Sequence, residues 1–91
     1  MKVVLGNEKE IDAIRMMRTY NNNNNIRITI TLTRDISLEE VKEFFTEEAC
    51  SSISFVACGK TEIYDGYSLE RVSESLDDAR SELYVELSKD I

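Results

Sequence analysis

Histidine is absent from all 91 residues of the chain. That removes the commonest general base, the Ser-His and Cys-His nucleophile pairs, and the usual zinc and metalloprotease motifs. Proline is also absent, so there is no proline-rich linker. No apolar run approaches the roughly 18 residues that a membrane-spanning helix needs. The apolar stretch at the N-terminus, Val3-Val4-Leu5, is too short for a signal peptide, which predicts an intracellular protein. Cysteine occurs only at Cys50 and Cys58. The segment between them reads as a strand, which sets their Cα atoms about 25 Å apart, against the roughly 4.4–6.8 Å of a disulfide. Two free thiols fit a reducing compartment.

What is present is enough for one core. An apolar content of 42% is too high for general disorder, and a chain of this length predicts one domain over residues 1–91. The net charge of −7 is unevenly spread along the chain. Residues 1–34 hold six bases against three acids, a net +3. Residues 35–91 hold five bases against fifteen acids, a net −10. An acidic region repels nucleic acid and attracts basic protein surfaces.

The strongest strand signal is 26–33, where Ile26, Ile28, Ile30 and Leu32 alternate with Arg27, Thr29, Thr31 and Thr33. A helix over 37–49 follows. Ser37 is its N-cap, Glu40 completes a capping box, and Leu38, Val41, Phe44, Phe45 and Ala49 form a buried stripe. Its other face holds Glu39, Glu40, Glu43, Glu47 and Glu48, with Lys42 as the lone base. Glu39, Glu43 and Glu47 stack at i, i+4 and i+8, and Glu47 and Glu48 fall near the helix C-terminus, where the dipole disfavours anions. A meander over 51–88 is predicted next. Ile53, Phe55 and Ala57 share one face, and Gly59-Lys60 suits a type II′ turn. Asp65-Gly66 suits a type I′ hairpin into a strand with Tyr67, Leu69 and Arg71 on one face. A turn at 77–80 leads to a strand with Leu83, Val85 and Leu87 inward. Residues 8–20 read either as a helix capped by Asn7, with Ile11, Ile14 and Met17 on one face, or as a strand with Ile14, Met16 and Tyr20 on one face. The hairpin that Asn21–Asn25 would make into the next strand favours the strand. The fold class expected is therefore α+β, a mainly antiparallel sheet packed on one amphipathic helix.

The run from Ile36 to Cys50, ISLEEVKEFFTEEAC, is similar to a helical stretch in small, uncharacterised phage and prophage proteins of Gram-positive and gut bacteria. Tyr64-Asp65-Gly66-Tyr67-Ser68-Leu69 resembles a segment before their final strand. The resemblance implies a phage-encoded origin and an opening hairpin. It brings no catalytic residues with it.

Other motifs have plainer readings. Ser54 to Thr61 falls one residue short of a P-loop, and hairpin signals follow it where a helix should. Asp77-Asp78 and Glu47-Glu48 could pair carboxylates, but adjacent residues point to different faces. Arg15, Arg18, Arg27 and Arg34 with Tyr20 could form a nucleic-acid patch, yet the rest of the chain is repulsive, so direct nucleic-acid binding is disfavoured. The expectation is no enzyme, no cofactor and no metal. The chain reads as an acidic phage binding protein acting in the bacterial host cytoplasm. Its partner is a protein with a basic surface or further copies of itself, and Glu39, Glu40, Glu43, Glu47 and Glu48 are the contact residues. A nucleic-acid-mimicking inhibitor of a host defence protein, as anti-CRISPR proteins are, is the leading form of that reading. A virion or tail/head assembly component is the alternative.

Overall fold

A computed structural model describes residues 1–21, 24–33, 36–75 and 82–90. The elements run β1 (Lys2–Val4), β2 (Glu10–Asp12), β3 (Arg15–Asn21), β4 (Asn25–Thr33), α1 (Leu38–Phe44), α2 (Glu47–Cys50), β5 (Ser52–Ala57), β6 (Lys60–Asp65), β7 (Ser68–Glu74) and β8 (Glu82–Asp90). They form two four-stranded antiparallel sheets, ordered β2-β1-β5-β6 and β3-β4-β8-β7. The α+β class is as expected.

One core lies between the elements. Ile28, Ile30 and Leu32 of β4 meet Leu87, Val85 and Leu83 of β8 in register, and all six are buried. Val3, Ile53 and Phe55 come from the other sheet, and Val41, Phe45, Ala49 and Cys50 from the helical segment. The Ile/Thr alternation of β4 explains its central place. β-branched side chains fit a pleated surface, and one face is wholly apolar.

Residues 8–20 hold two strands, β2 and β3, where one was expected, and β3 makes the hairpin into β4 that was argued. Ile11 sits opposite Val3, and β3 pairs with β4 from Arg15↔Thr31 to Asn21↔Asn25. The helical reading fails because Ile11 and Met16 belong to two different strands, in two different sheets.

Four expectations need correction. The helix over 37–49 is two short helices. Ser37 caps the first, accepting the Glu40 N–H at 3.2 Å. The chain leaves helical geometry at Phe45, and the Thr46 hydroxyl caps a second helix by accepting the Ala49 N–H at 3.2 Å. A hydroxyl residue at Thr46 offers the backbone a fresh N-cap, and the break still lets Phe45, Ala49 and Cys50 all reach the core. The β5–β6 turn is Cys58-Gly59, not Gly59-Lys60, because Ala57 pairs with Lys60. Both turn residues have positive φ, 53° and 76°, which is the type I′ pattern. Asp65-Gly66 closes no hairpin. β6 pairs with β5 and β7 with β8, so this segment carries the chain from one sheet to the other. Tyr64 and Tyr67 on either side are both buried and edge-on to each other, and the Gly66 N–H is donated to Ser51 O at 2.8 Å. Finally, Arg71 does not share a face with Leu69. A bulge between them restores Val72 to the inner face opposite Val85 and turns Arg71 outward to Glu86. The turn expected at 77–80 lies outside the described residues.

Candidate functional site

The five glutamates singled out in the sequence are all exposed, on two consecutive helices. The break between α1 and α2 changes their physics. Glu39 and Glu43 remain an i, i+4 like-charge pair on α1, which costs a few tenths of a kcal/mol. Glu47 does not continue that stack. Glu47 and Glu48 lie in the first turn of α2, and Glu39 and Glu40 in the first turn of α1. The helix dipole favours anions at all four positions, the reverse of what one long helix predicts for Glu47 and Glu48. Glu40 also accepts from the Ser37 hydroxyl at 3.2 Å. Glu43 is the one acid of the five without a local structural reason.

The rest of the charge is dispersed by folding. On the outer face of the β3-β4-β8-β7 sheet, Arg15 reaches Glu82 at 3.4 Å and Arg71 pairs with Glu86. Arg27 lines a small cleft with Glu70, Arg71 and Glu86. Of these contacts, Arg15–Glu82 is the one that joins the basic N-terminal third to the acidic remainder. Arg18 lies elsewhere, on the inner face, with its guanidinium 5.9 Å from the Tyr20 ring and 5.5 Å from the Tyr64 ring. Arg15, Arg18 and Arg27 form no common basic patch, and Arg34 lies outside the described residues. Among the described residues, no ion pair reaches Glu39, Glu43, Glu47 or Glu48. The helical face is where carboxylates stay unmatched.

Beside this face is an open cleft of about 440 Å³, lined by Gly6, Asn7, Thr46, Glu48, Ala49, Ser51 and Ser52. The β1–β2 turn packs there against α2. Gly6 N–H is donated to Ala49 O at 2.9 Å, and a Cβ on Gly6 would meet the Ala49 and Ser52 carbonyl oxygens at 3.3 Å. A side chain at this position would push the two carbonyls back by a few tenths of an ångström.

The other candidate motifs are taken up by structure. Ser54 to Thr61 is the β5–β6 hairpin, with no helix N-terminus to receive a phosphate. Among the described residues there is no group of three or more cysteine, aspartate and glutamate side chains placed to hold a metal. Asp77 and Asp78 lie outside the described residues. Tyr64 and Tyr67 are both pushed above the usual phenol range, chiefly by burial, with the Glu62 hydrogen bond adding to the shift at Tyr64.

The two thiols are free and unlike each other: Cys50 is buried and Cys58 is exposed at its turn. Burial pushes the Cys50 thiol up from 9.0 to about 11. Iodoacetamide at pH 8 is therefore expected to modify Cys58 at least about 100-fold faster than Cys50 in the folded protein, because the thiolate is the reactive form. Peptide mapping after timed quenching checks this. The same shift links to stability. The unfolded thiol ionises first as pH rises, so the folded state loses up to about 2–3 kcal/mol between pH 9 and pH 11. Urea midpoints across that range should fall less steeply in Cys50→Ala than in the wild type.

Comparison with protein-family models, curated proteins and solved structures finds no match for this chain.

Proposed function

We propose that this chain is a non-enzymatic binding protein that engages a basic protein surface through Glu39, Glu40, Glu43, Glu47 and Glu48. One observation carries the reading. These carboxylates are exposed on adjoining helices without cationic partners among the described residues, while Glu10, Glu82 and Glu86 on the sheets are paired with bases. A dense array of unmatched carboxylates resembles a nucleic-acid backbone in charge. It would attract a groove lined with lysine and arginine and raise the rate of encounter. In the phage setting that the resemblance of residues 36–50 and 64–69 suggests, such a face would occupy the nucleic-acid groove of a host defence protein in the bacterial cytoplasm.

The test is capture of partners from host lysate at low and at high salt. Binding through exposed charges weakens as salt shortens the Debye length from about 10 Å at 0.1 M. The triple variant with Glu39, Glu43 and Glu47 changed to lysine is expected to lose at least tenfold in affinity for whatever the wild type captures. Glu39 and Glu47 occupy first helical turns, so reversing their charge costs about 0.3–1 kcal/mol each and lowers the thermal midpoint by a few degrees without unfolding the protein. Capture unaffected by the triple change excludes the acidic face as the contact. The exposed edges of β3 and β6 support a second reading, a self-associating virion or tail/head accessory component. Mass spectrometry of purified particles separates the two.

A further inference from the structure

Five large apolar side chains are strongly exposed among the described residues: Met1, Ile14, Met17, Tyr20 and Ile63. Met17 and Tyr20 lie on β3, and Ile14 leads into it. Met1 is tied beside that lead-in by a hydrogen bond from its amino group to Ala13 O at 3.3 Å. Ile63 lies on β6. Both strands are sheet edges, since β3 pairs only with β4 and β6 only with β5. Natural edges are blunted by bulges, proline, short length or a covering element. β2 is short, and β7 carries a bulge and packs against both helices. Among the described residues β3 and β6 have no bulge, proline or covering element. The charges they carry, Arg15 and Arg18 on one and Glu62 and Asp65 on the other, blunt each edge against its own kind but not against the other.

The two edges match each other. On β3, Met16 and Arg18 stand opposite the buried Ile30 and Ile28, so they face inward, and Arg15 and Met17 face outward. On β6, Tyr64 and Glu62 stand opposite Ile53 and Phe55 and face inward, leaving Ile63 and Asp65 outward. The sequence Arg15-Met16-Met17-Arg18 is base, apolar, apolar, base. Glu62-Ile63-Tyr64-Asp65 is acid, apolar, apolar, acid. Laid antiparallel, each residue meets one of opposite charge or like polarity on the same face of the sheet.

We propose that the chain forms a two-fold dimer in which β3 pairs antiparallel with the partner's β6, placing Arg15 opposite Asp65, Met16 opposite Tyr64, Met17 opposite Ile63 and Arg18 opposite Glu62. Arg18 lies over the ring of Tyr64 in the same chain, which brings both edges to one side of the molecule. A two-fold axis through that side lets both pairings form at once, so the contact closes and does not propagate. Each four-stranded sheet then continues into the other sheet of the partner. Met17 and Ile63, 56% and 65% exposed, cover each other twice. Arg15 is free to re-pair, because its present contact with Glu82 is long and half exposed. The pairing does not involve the acidic helices, so it stands or falls apart from the binding role proposed above.

Sedimentation equilibrium from about 1 µM to about 1 mM reads the result. The wild type is expected to dimerise. Met17→Glu and Ile63→Lys should each raise the dissociation constant at least tenfold, and the double variant should return to within about threefold of the wild type through the new opposite charges. Both side chains are exposed, so unchanged circular dichroism confirms that each variant folds. A wild type that stays monomeric throughout overturns the proposal, even if it binds an extended acidic peptide. So does an oligomer that grows beyond a dimer, one indifferent to both single changes, or a double variant that fails to recover.

Discussion

Phe45→Ala is expected to cost about 3–5 kcal/mol of folding stability, read as a fall in the urea midpoint without a change in slope. The side chain is completely buried. It sits where the chain leaves α1, and its N–H still bonds Val41 O at 2.8 Å, so it anchors both helices to the core at once. Phe44 beside it packs at 5.8 Å between centroids and is only partly buried. Total stability of about 5–15 kcal/mol is normal for a small domain, so this one truncation removes a large share of it. Phe44→Ala should cost much less, since its ring is already partly in solvent and Lys9 lies 5.9 Å from the ring centroid.

Hydrogen exchange should divide the sheets into slow and fast strands. Amides within Ile28–Leu32 and Leu83–Leu87 lie in two central strands with fully buried inner side chains. They are expected to exchange only by global unfolding, at least about 10³-fold more slowly than amides of β6, which is exposed along almost its whole length. If β6 proved as protected as β8 at low concentration, its edge would not be open. A protection of β6 and β3 that appears only at high concentration would accompany dimerisation.

The parts legible in the sequence were those governed by short-range periodicity. The Ile/Thr alternation of 26–33, the inward set Leu83, Val85 and Leu87, and the Ser37–Glu40 cap all follow from neighbours two to four residues away. Errors arose where partners lie far apart. Asp65-Gly66 has hairpin chemistry, but Tyr64 and Tyr67 both had to reach a core built by two sheets, and nothing local says so. Period-two alternation assigns Arg71 to the face of Leu69, because a bulge leaves no mark in the sequence and shows only through the neighbours Glu86 and Val85. Thr46 was the missed local signal, since Thr-Glu-Glu-Ala is a plausible helix start inside a helix. The acidic residues were legible as a set, but their electrostatic meaning changed once two were found at a helix start. The edge complementarity of β3 and β6 needed the topology first. The charges are visible in the sequence, but not that both strands are edges.

The pairing of β4 with β8 joins residues that lie between 49 (Thr33 to Glu82) and 65 (Asn25 to Asp90) positions apart. During synthesis β4 is therefore complete long before its second neighbour exists. Until Glu82 and the residues after it emerge, the most β-prone segment of the chain has only β3 beside it, with its other backbone edge unpaired. Closure over that distance slows folding, toward the millisecond-to-second range of proteins dominated by non-local strand pairs. The nascent chain thus passes through a period when the unpaired edge of β4 is an open adhesive strip, and cellular yield should depend on how quickly translation delivers residues 82–90.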